Sequence, residues 1–82
     1  MIIKILGTGC AKCNALENTT REVINELAAD ATIEHVTDMK KIMEYPILTT
    51  PGLVIDEKLV SSGRVPSKSE VTTFITTALA QE

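Results

Sequence analysis

The 82-residue chain has no tryptophan, one tyrosine (Tyr45) and one phenylalanine (Phe74). Without aromatic platforms, stacking on the bases of single-stranded nucleic acid is not expected. Excess basic charge is also missing. The formal net charge is −3, so the electrostatic footprint of a nucleic-acid binder is absent. No apolar run approaches the roughly 18 to 20 residues that a membrane helix needs, and no membrane contact is expected. The opening Met1-Ile2-Ile3-Lys4-Ile5-Leu6 is interrupted by Lys4 and carries no basic region ahead of it. It runs into Gly7-Thr8-Gly9-Cys10 rather than a small-residue cleavage site, so it does not read as a signal peptide. The expected address is the cytoplasm, where disulfides are usually transient and catalytic rather than structural.

What is present is ordinary for a soluble globular domain: 44% hydrophobic and 23% charged residues. Residues 1–82 are expected to form a single domain. A chain this short buries only about 60% of its unfolded surface. The punctuation places the elements. Residues 2 to 6 read as a buried strand ending at Gly7, and Gly7-Thr8-Gly9 as a tight loop. Residues 11 to 29 repeat helically, with Cys13, Leu16, Thr20, Val23, Ile24 and Leu27 on one face. Thr32 to Val36 reads as a second strand, which makes a right-handed βαβ unit. Thr37 or Asp38 can cap a short helix through about Glu44, with Met39, Ile42 and Met43 as its apolar face, and Pro46 ends it. Gly52 to Asp56 is a third strand, Glu57-Lys58 a tight turn, and Leu59 to Ser61 a fourth strand antiparallel to it. Ser67 and Glu70 form a capping box for a last helix over residues 68–80, with Val71, Phe74, Ile75, Ala78 and Leu79 inward. The order β-α-β-α-β-β-α packs economically as an α/β fold, a four-stranded mixed sheet flanked by three helices.

The chain has two cysteines, and they form one motif, Cys10-Ala11-Lys12-Cys13, where the first strand hands over to the first helix. Residues three apart on a helical turn have β-carbons about 5 to 6 Å apart, and a disulfide wants about 3.5 to 4.5 Å. The pair can therefore close and open with little backbone motion. As a staple it would contribute little, since closing a ring of about four residues gives only about 2 kcal/mol. That favours a chemical role. Cys10, at or just before the helix start, meets unpaired N–H groups and the positive end of the helix dipole, which favour a thiolate. Cys13 lies a turn further in, on the apolar side. Cys10 is thus the expected nucleophile and Cys13 the resolving thiol. Such a pair following the first strand of a βαβ unit marks a dithiol redox site. A soft-metal reading competes with it, in which the two thiols carry copper(I) or arsenic(III). A zinc site is disfavoured, because it wants four ligands and the only histidine is His35.

At this point the chain resembles the small thioredoxin-fold proteins called redox-active disulfide protein 2, or glutaredoxin-like small thioredoxins. The resemblance spans essentially the whole chain. It rests on Gly7-Thr8-Gly9-Cys10-Ala11-Lys12-Cys13, Thr49-Thr50-Pro51, Leu53-Val54-Ile55-Asp56 and Gly63-Arg64-Val65-Pro66-Ser67. It implies a thioredoxin-like fold and a thiol-disulfide oxidoreductase, a protein-disulfide reductase that exchanges electrons with protein or small-molecule disulfides. It implies that Pro51 is a cis-proline beside the cysteines, with the backbone of Thr50 pairing to an extended substrate segment and Gly9 and Lys12 bordering the same groove. The residues alone leave Pro51 open between cis and trans. No cofactor or metal is implied beyond a Cys10–Cys13 redox disulfide. The implied partners are a thioredoxin-reductase-like protein and disulfide-bearing substrate proteins. Gly63-Arg64-Val65-Pro66 stands where glutaredoxins carry a Gly-Gly and acidic pair, which argues against glutathione as electron source.

Other residues read more plainly. His35 is taken as a half-exposed strand residue, Tyr45 as a core-packing ring, and Met39 and Met43 as helix core. Lys12 is either a thiolate stabiliser or a solvated charge. The first strand offers no acidic proton acceptor for Cys13.

Overall fold

The computed structural model describes residues 1–9, 11–47 and 49–81. The elements are β1 (Ile2–Leu6), α1 (Ala11–Leu27), β2 (Thr32–Val36), α2 (Met39–Ile42), β3 (Gly52–Ile55), β4 (Lys58–Ser62) and α3 (Lys68–Ala80). They follow the predicted order. The sheet runs β2-β1-β3-β4. β1 pairs parallel with β2 and antiparallel with β3, and β3 pairs antiparallel with β4. The βαβ crossover supplies the parallel pair, and the two-residue turn after β3 supplies the last antiparallel one.

Strand alternation sends side chains to two separate cores. On one face Ile3 and Ile5 of β1 and Leu53 and Ile55 of β3 meet Leu16, Val23 and Ile24 of α1 and Val71 and Ile75 of α3. On the other, Leu6 and Val54 meet Ile42 of α2, with Val36, Tyr45, Ile47 and Leu59 packed around them. The helices therefore cover both faces. Ile2 and Leu27, read from sequence as buried, are 46% and 37% exposed, because each lies at the end of its element, beyond the covering layer.

The predicted turn at Glu57-Lys58 lies one residue earlier. Ile55 pairs with Lys58, so Asp56 and Glu57 make the turn, with φ of +46° and +70°. Two positive φ values define the primed turn that matches strand twist. Neither residue is glycine, and side chains hold both in place. The Asp56 carboxylate accepts the Ile2 N–H at 2.9 Å, and the Asp56 N–H donates to the Ile2 carbonyl at 2.9 Å. The Glu57 carboxylate accepts from Lys4 Nζ at 2.7 Å and from the Tyr45 hydroxyl at 3.1 Å. Tyr45 thus has a polar role besides packing.

Helix α2 is a single turn and ends at Ile42, short of the predicted Glu44. Asp38 caps it by accepting the Lys40 N–H at 2.9 Å. Beyond it the N–H groups of Glu44 and Tyr45 reach back three residues, to Lys41 and Ile42 carbonyls. So short a helix seats one apolar side chain. Ile42 is buried, while Met39 and Met43 are 52% and 74% exposed rather than core.

Helix α1 ends without a glycine. Ala28 takes φ +51°, its N–H donates to the Asn25 carbonyl at 3.3 Å, and the Ala29 N–H donates to Ile24 at 3.1 Å. A left-handed residue with a β-carbon costs about 1 to 2 kcal/mol. Ala28→Gly is therefore expected to stabilise the fold by about 1 kcal/mol, a rise of about 4 to 8 °C in Tm for a domain of this size. Thermal unfolding checks this. A variant that melts at or below the parent temperature contradicts it.

The predicted capping box is in place. Ser67 Oγ accepts the Glu70 N–H at 3.2 Å, and Glu70 Oε1 accepts the Ser67 N–H at 3.1 Å. Arg64 grips the same carboxylate with two guanidinium nitrogens. The Arg64 hydrogen bonds, then the Ser67 backbone N–H, pull the Glu70 carboxyl from an ordinary 4.5 down to about 2. A depressed carboxyl adds stability that is present above its unfolded value and lost as pH falls through its folded one. Urea unfolding should therefore show an acid limb between those two pH values that Glu70→Gln flattens. A variant with an unchanged limb contradicts this.

Candidate active site

Three connections meet at one end of the sheet. The first is the β1–α1 loop. The Gly7 N–H donates to the Val36 carbonyl at 3.0 Å, which extends the parallel pairing one residue beyond β1. Helix α1 then begins at Ala11, and Cys13, its third residue, is 0% exposed. Its sulfur rests on Gly7: a β-carbon there would overlap Cys13 Sγ and lie 3.4 Å from Cys13 Cβ. The same point is 3.8 Å from Thr50 Cβ, so Thr50 and Cys13 flank one glycine.

The second connection leads into β3. The Thr50-Pro51 peptide is cis and Pro51 is buried. Among the described residues, the Thr50 N–H and carbonyl take no hydrogen-bond partner. The third is the β4–α3 loop, where the Gly63 N–H donates to the Pro51 carbonyl at 2.9 Å. Gly63 sits at φ +78°, and a β-carbon on it would press on Thr49 Oγ1. The β4–α3 loop therefore clasps the proline segment from outside while Cys13 lies inside it.

Of the residues singled out from sequence, the structure brings Cys13, Thr50 and Pro51 to one place. Cys10 lies outside the described residues. It directly precedes Ala11, the first residue of α1. Gly9 is exposed at φ +89°, with open space around its Cα. Lys12 is exposed on α1. His35 is half-buried on β2, with Nδ1 3.1 Å from Glu17 Oε1. Tyr45 is turned toward Lys4 and Glu57, its hydrogen-bond partners. Beside Thr50 opens a depression of about 430 Å³, lined by Met39, Ile42, Met43, Ile47 and Thr49.

Sequence reading missed two roles. Gly7 is the floor under the Cys13 sulfur; a glycine ending a strand can signal such close approach. The Gly63 clasp on Pro51 also went unseen, because it depends on which loops share an end of the sheet.

Comparison with known proteins agrees with this geometry. A thioredoxin-domain family model matches residues 1–76. The chain belongs to the thioredoxin family. It is 45% identical over 71 residues to a thioredoxin of Methanothermobacter thermautotrophicus, covering 87% of this chain and 92% of that one. It is 39% identical over 71 residues to a thioredoxin of Methanocaldococcus jannaschii, covering 87% and 81%. In fold it is similar to the germline-specific thioredoxin Deadhead of Drosophila melanogaster, with a TM-score of 0.61 at 14% identity over 93% of this chain and 78% of that one. The chain is a thioredoxin-like redox protein with a thioredoxin fold, and the cis-proline expected from the resemblance is present. Among the described residues no helix is long and apolar enough to cross a membrane.

Proposed function

We propose that this chain is a dithiol-disulfide exchange protein that reduces disulfides through Cys10 and Cys13. One observation carries the reading: the sulfur of Cys13 is buried one turn into α1, on Gly7, directly beside the cis Thr50-Pro51 segment. The Cys10 thiolate attacks a substrate disulfide, one substrate sulfur leaves, and a mixed disulfide forms. Cys13 then attacks the Cys10 sulfur, the second substrate sulfur leaves, and the protein is left with a Cys10–Cys13 disulfide. The backbone of Thr50, which has no hydrogen-bond partner among the described residues, supports pairing with an extended substrate segment, because a bound strand would satisfy both groups. Pro51, with no N–H of its own, shapes the groove, and Gly9 and Lys12 border it from the α1 side. No cofactor enters this cycle. The electrons return from a thioredoxin-reductase-like protein, and the whole chain acts as one domain in the cytoplasm.

Reduction of insulin disulfides by the wild-type protein, with dithiothreitol as donor, tests the proposal. The expected result is turnover well above dithiothreitol alone. No turnover, together with tight copper(I) uptake by the reduced protein, would replace it with a soft-metal carrier.

A further inference from the structure

A substrate segment that pairs with Thr50 brings more than its disulfide to the site. Thr50 stands between the two helix layers. Its Cβ lies 3.8 Å from the point where a β-carbon on Gly7 would overlap the Cys13 sulfur of α1. The same residue lines the depression of about 430 Å³ on the α2 side, together with Met39, Ile42, Met43 and Ile47. Successive residues of an extended segment point to opposite sides. A segment that turns its cysteine toward α1 therefore turns the residues flanking that cysteine toward α2, over the depression. That surface is apolar: among the described residues, no charged side chain lines it. Ile42 is buried there, whereas Met39 and Met43 are the two most exposed large apolar side chains among the described residues. They stand four apart across the single turn of α2 and its C-cap, so both reach the same side. Exposed apolar side chains gathered beside a site mark a binding surface rather than a core, and methionine, unbranched and polarisable, adapts to side chains of different shape.

We propose that this depression receives the side chain next to the substrate cysteine, and that the chain selects protein disulfides whose cysteine is flanked by a large apolar residue. The inference rests on the exchange reading above and names the substrate class of that same site. A leucine, methionine or phenylalanine beside the cysteine covers Met39 and Met43 and removes apolar surface from water as the segment docks. A charged neighbour loses its hydration there and finds no partner among the lining side chains. Glutathione disulfide is therefore a poor substrate, because its cysteine is flanked by a γ-linked glutamate and a glycine, which bring a charge and no apolar side chain. Met39 and Met43 touch the flank of the substrate and not its sulfur, so they set specificity and take no part in the exchange itself.

The test mixes the reduced full chain with blocked peptides Ala-X-Cys-X-Ala, in which X is leucine, glycine or aspartate and the cysteine carries a thionitrobenzoate disulfide. The Cys10 thiolate bonds to the peptide sulfur, the S–S bond breaks, and thionitrobenzoate, the better leaving thiolate, departs with the electron pair. Its absorbance in a stopped-flow instrument gives the capture rate for each peptide. In the wild type the leucine peptide should react about 10-fold faster than the glycine peptide, and the aspartate peptide more slowly than either. In the double variant Met39→Ser, Met43→Ser the leucine-to-glycine ratio should fall to within about twofold of one, and in Met39→Leu, Met43→Leu it should return to the wild-type value. Each ratio is taken within one protein, so a general change in Cys10 reactivity cancels. Equal leucine and glycine rates in the wild type would overturn the proposal, and that arm needs no variant to fold. A preference that survives the serine pair would overturn it too, by placing the selection elsewhere. Failure of the exchange reading would show separately, as a wild-type protein that releases thionitrobenzoate from none of the three peptides above the protein-free background.

Discussion

Cys10→Ser is expected to lose insulin-disulfide turnover to background, a fall of about a thousandfold or more. The serine hydroxyl does not ionise near neutral pH and forms no disulfide, so the first step has no nucleophile. Cys13→Ser should fail differently. Capture by Cys10 still proceeds, but nothing inside the protein displaces the substrate, and a mixed disulfide accumulates that dithiothreitol releases. The asymmetry follows from position. Cys10 precedes the first residue of α1, where unpaired N–H groups favour an anion, whereas Cys13 is fully buried against Gly7. Mass spectrometry after alkylation distinguishes the two variants. An adduct that accumulates on Cys10→Ser instead would exchange the roles of the two thiols.

Gly7→Ala is expected to destabilise the fold by about 1 to 3 kcal/mol, the usual range for overfilling a packed site. It should also slow the resolving step at least tenfold. The new methyl group would occupy the position of Cys13 Sγ, and Cys13 Cβ, at 3.4 Å, leaves little slack behind it. The sulfur is only two bonds from its own α-carbon and cannot swing clear as the tip of a long side chain would. It must change rotamer or shift the start of α1, and either displaces the thiol from its seat. Gly9 makes the contrast. It has open space around its Cα, so Gly9→Ala meets only the strain of φ +89°, about 1 to 2 kcal/mol, with no overlap on the sulfur. Urea unfolding, together with stopped-flow reaction of the reduced protein with 5,5′-dithiobis(2-nitrobenzoate), in which resolution by Cys13 releases the second thionitrobenzoate, reads both effects. A Gly7→Ala protein with parental stability and parental resolving rate would mean that the sulfur does not rest there.

The strands and long helices were legible because local patterns decide them. The short isoleucine-rich run of β1 closed by Gly7, the period-3.6 face of α1 and the Ser67–Glu70 box each act within a few residues. The cysteine motif and the proline segment could be paired before the fold was seen only through the family resemblance, since the residues alone left Pro51 open. Features decided by distant partners were harder to read. The turn moved to Asp56-Glu57 because Ile2, Lys4 and Tyr45, far away in sequence, hold those two residues in left-handed conformations. Met39 and Met43 have the spacing of a core face but lie on a helix too short to use it. His35 looked like an ordinary strand residue until α1 laid Glu17 across it.

A redox titration against dithiothreitol buffers, with thiols counted by alkylation and mass, tests the central claim most directly. The account predicts one reversible two-electron transition between a dithiol and a Cys10–Cys13 disulfide, in the neighbourhood of the thioredoxin value of about −270 mV, and its loss in Cys13→Ser. Two thiols that remain alkylatable at every potential, with no disulfide form populated, would contradict it.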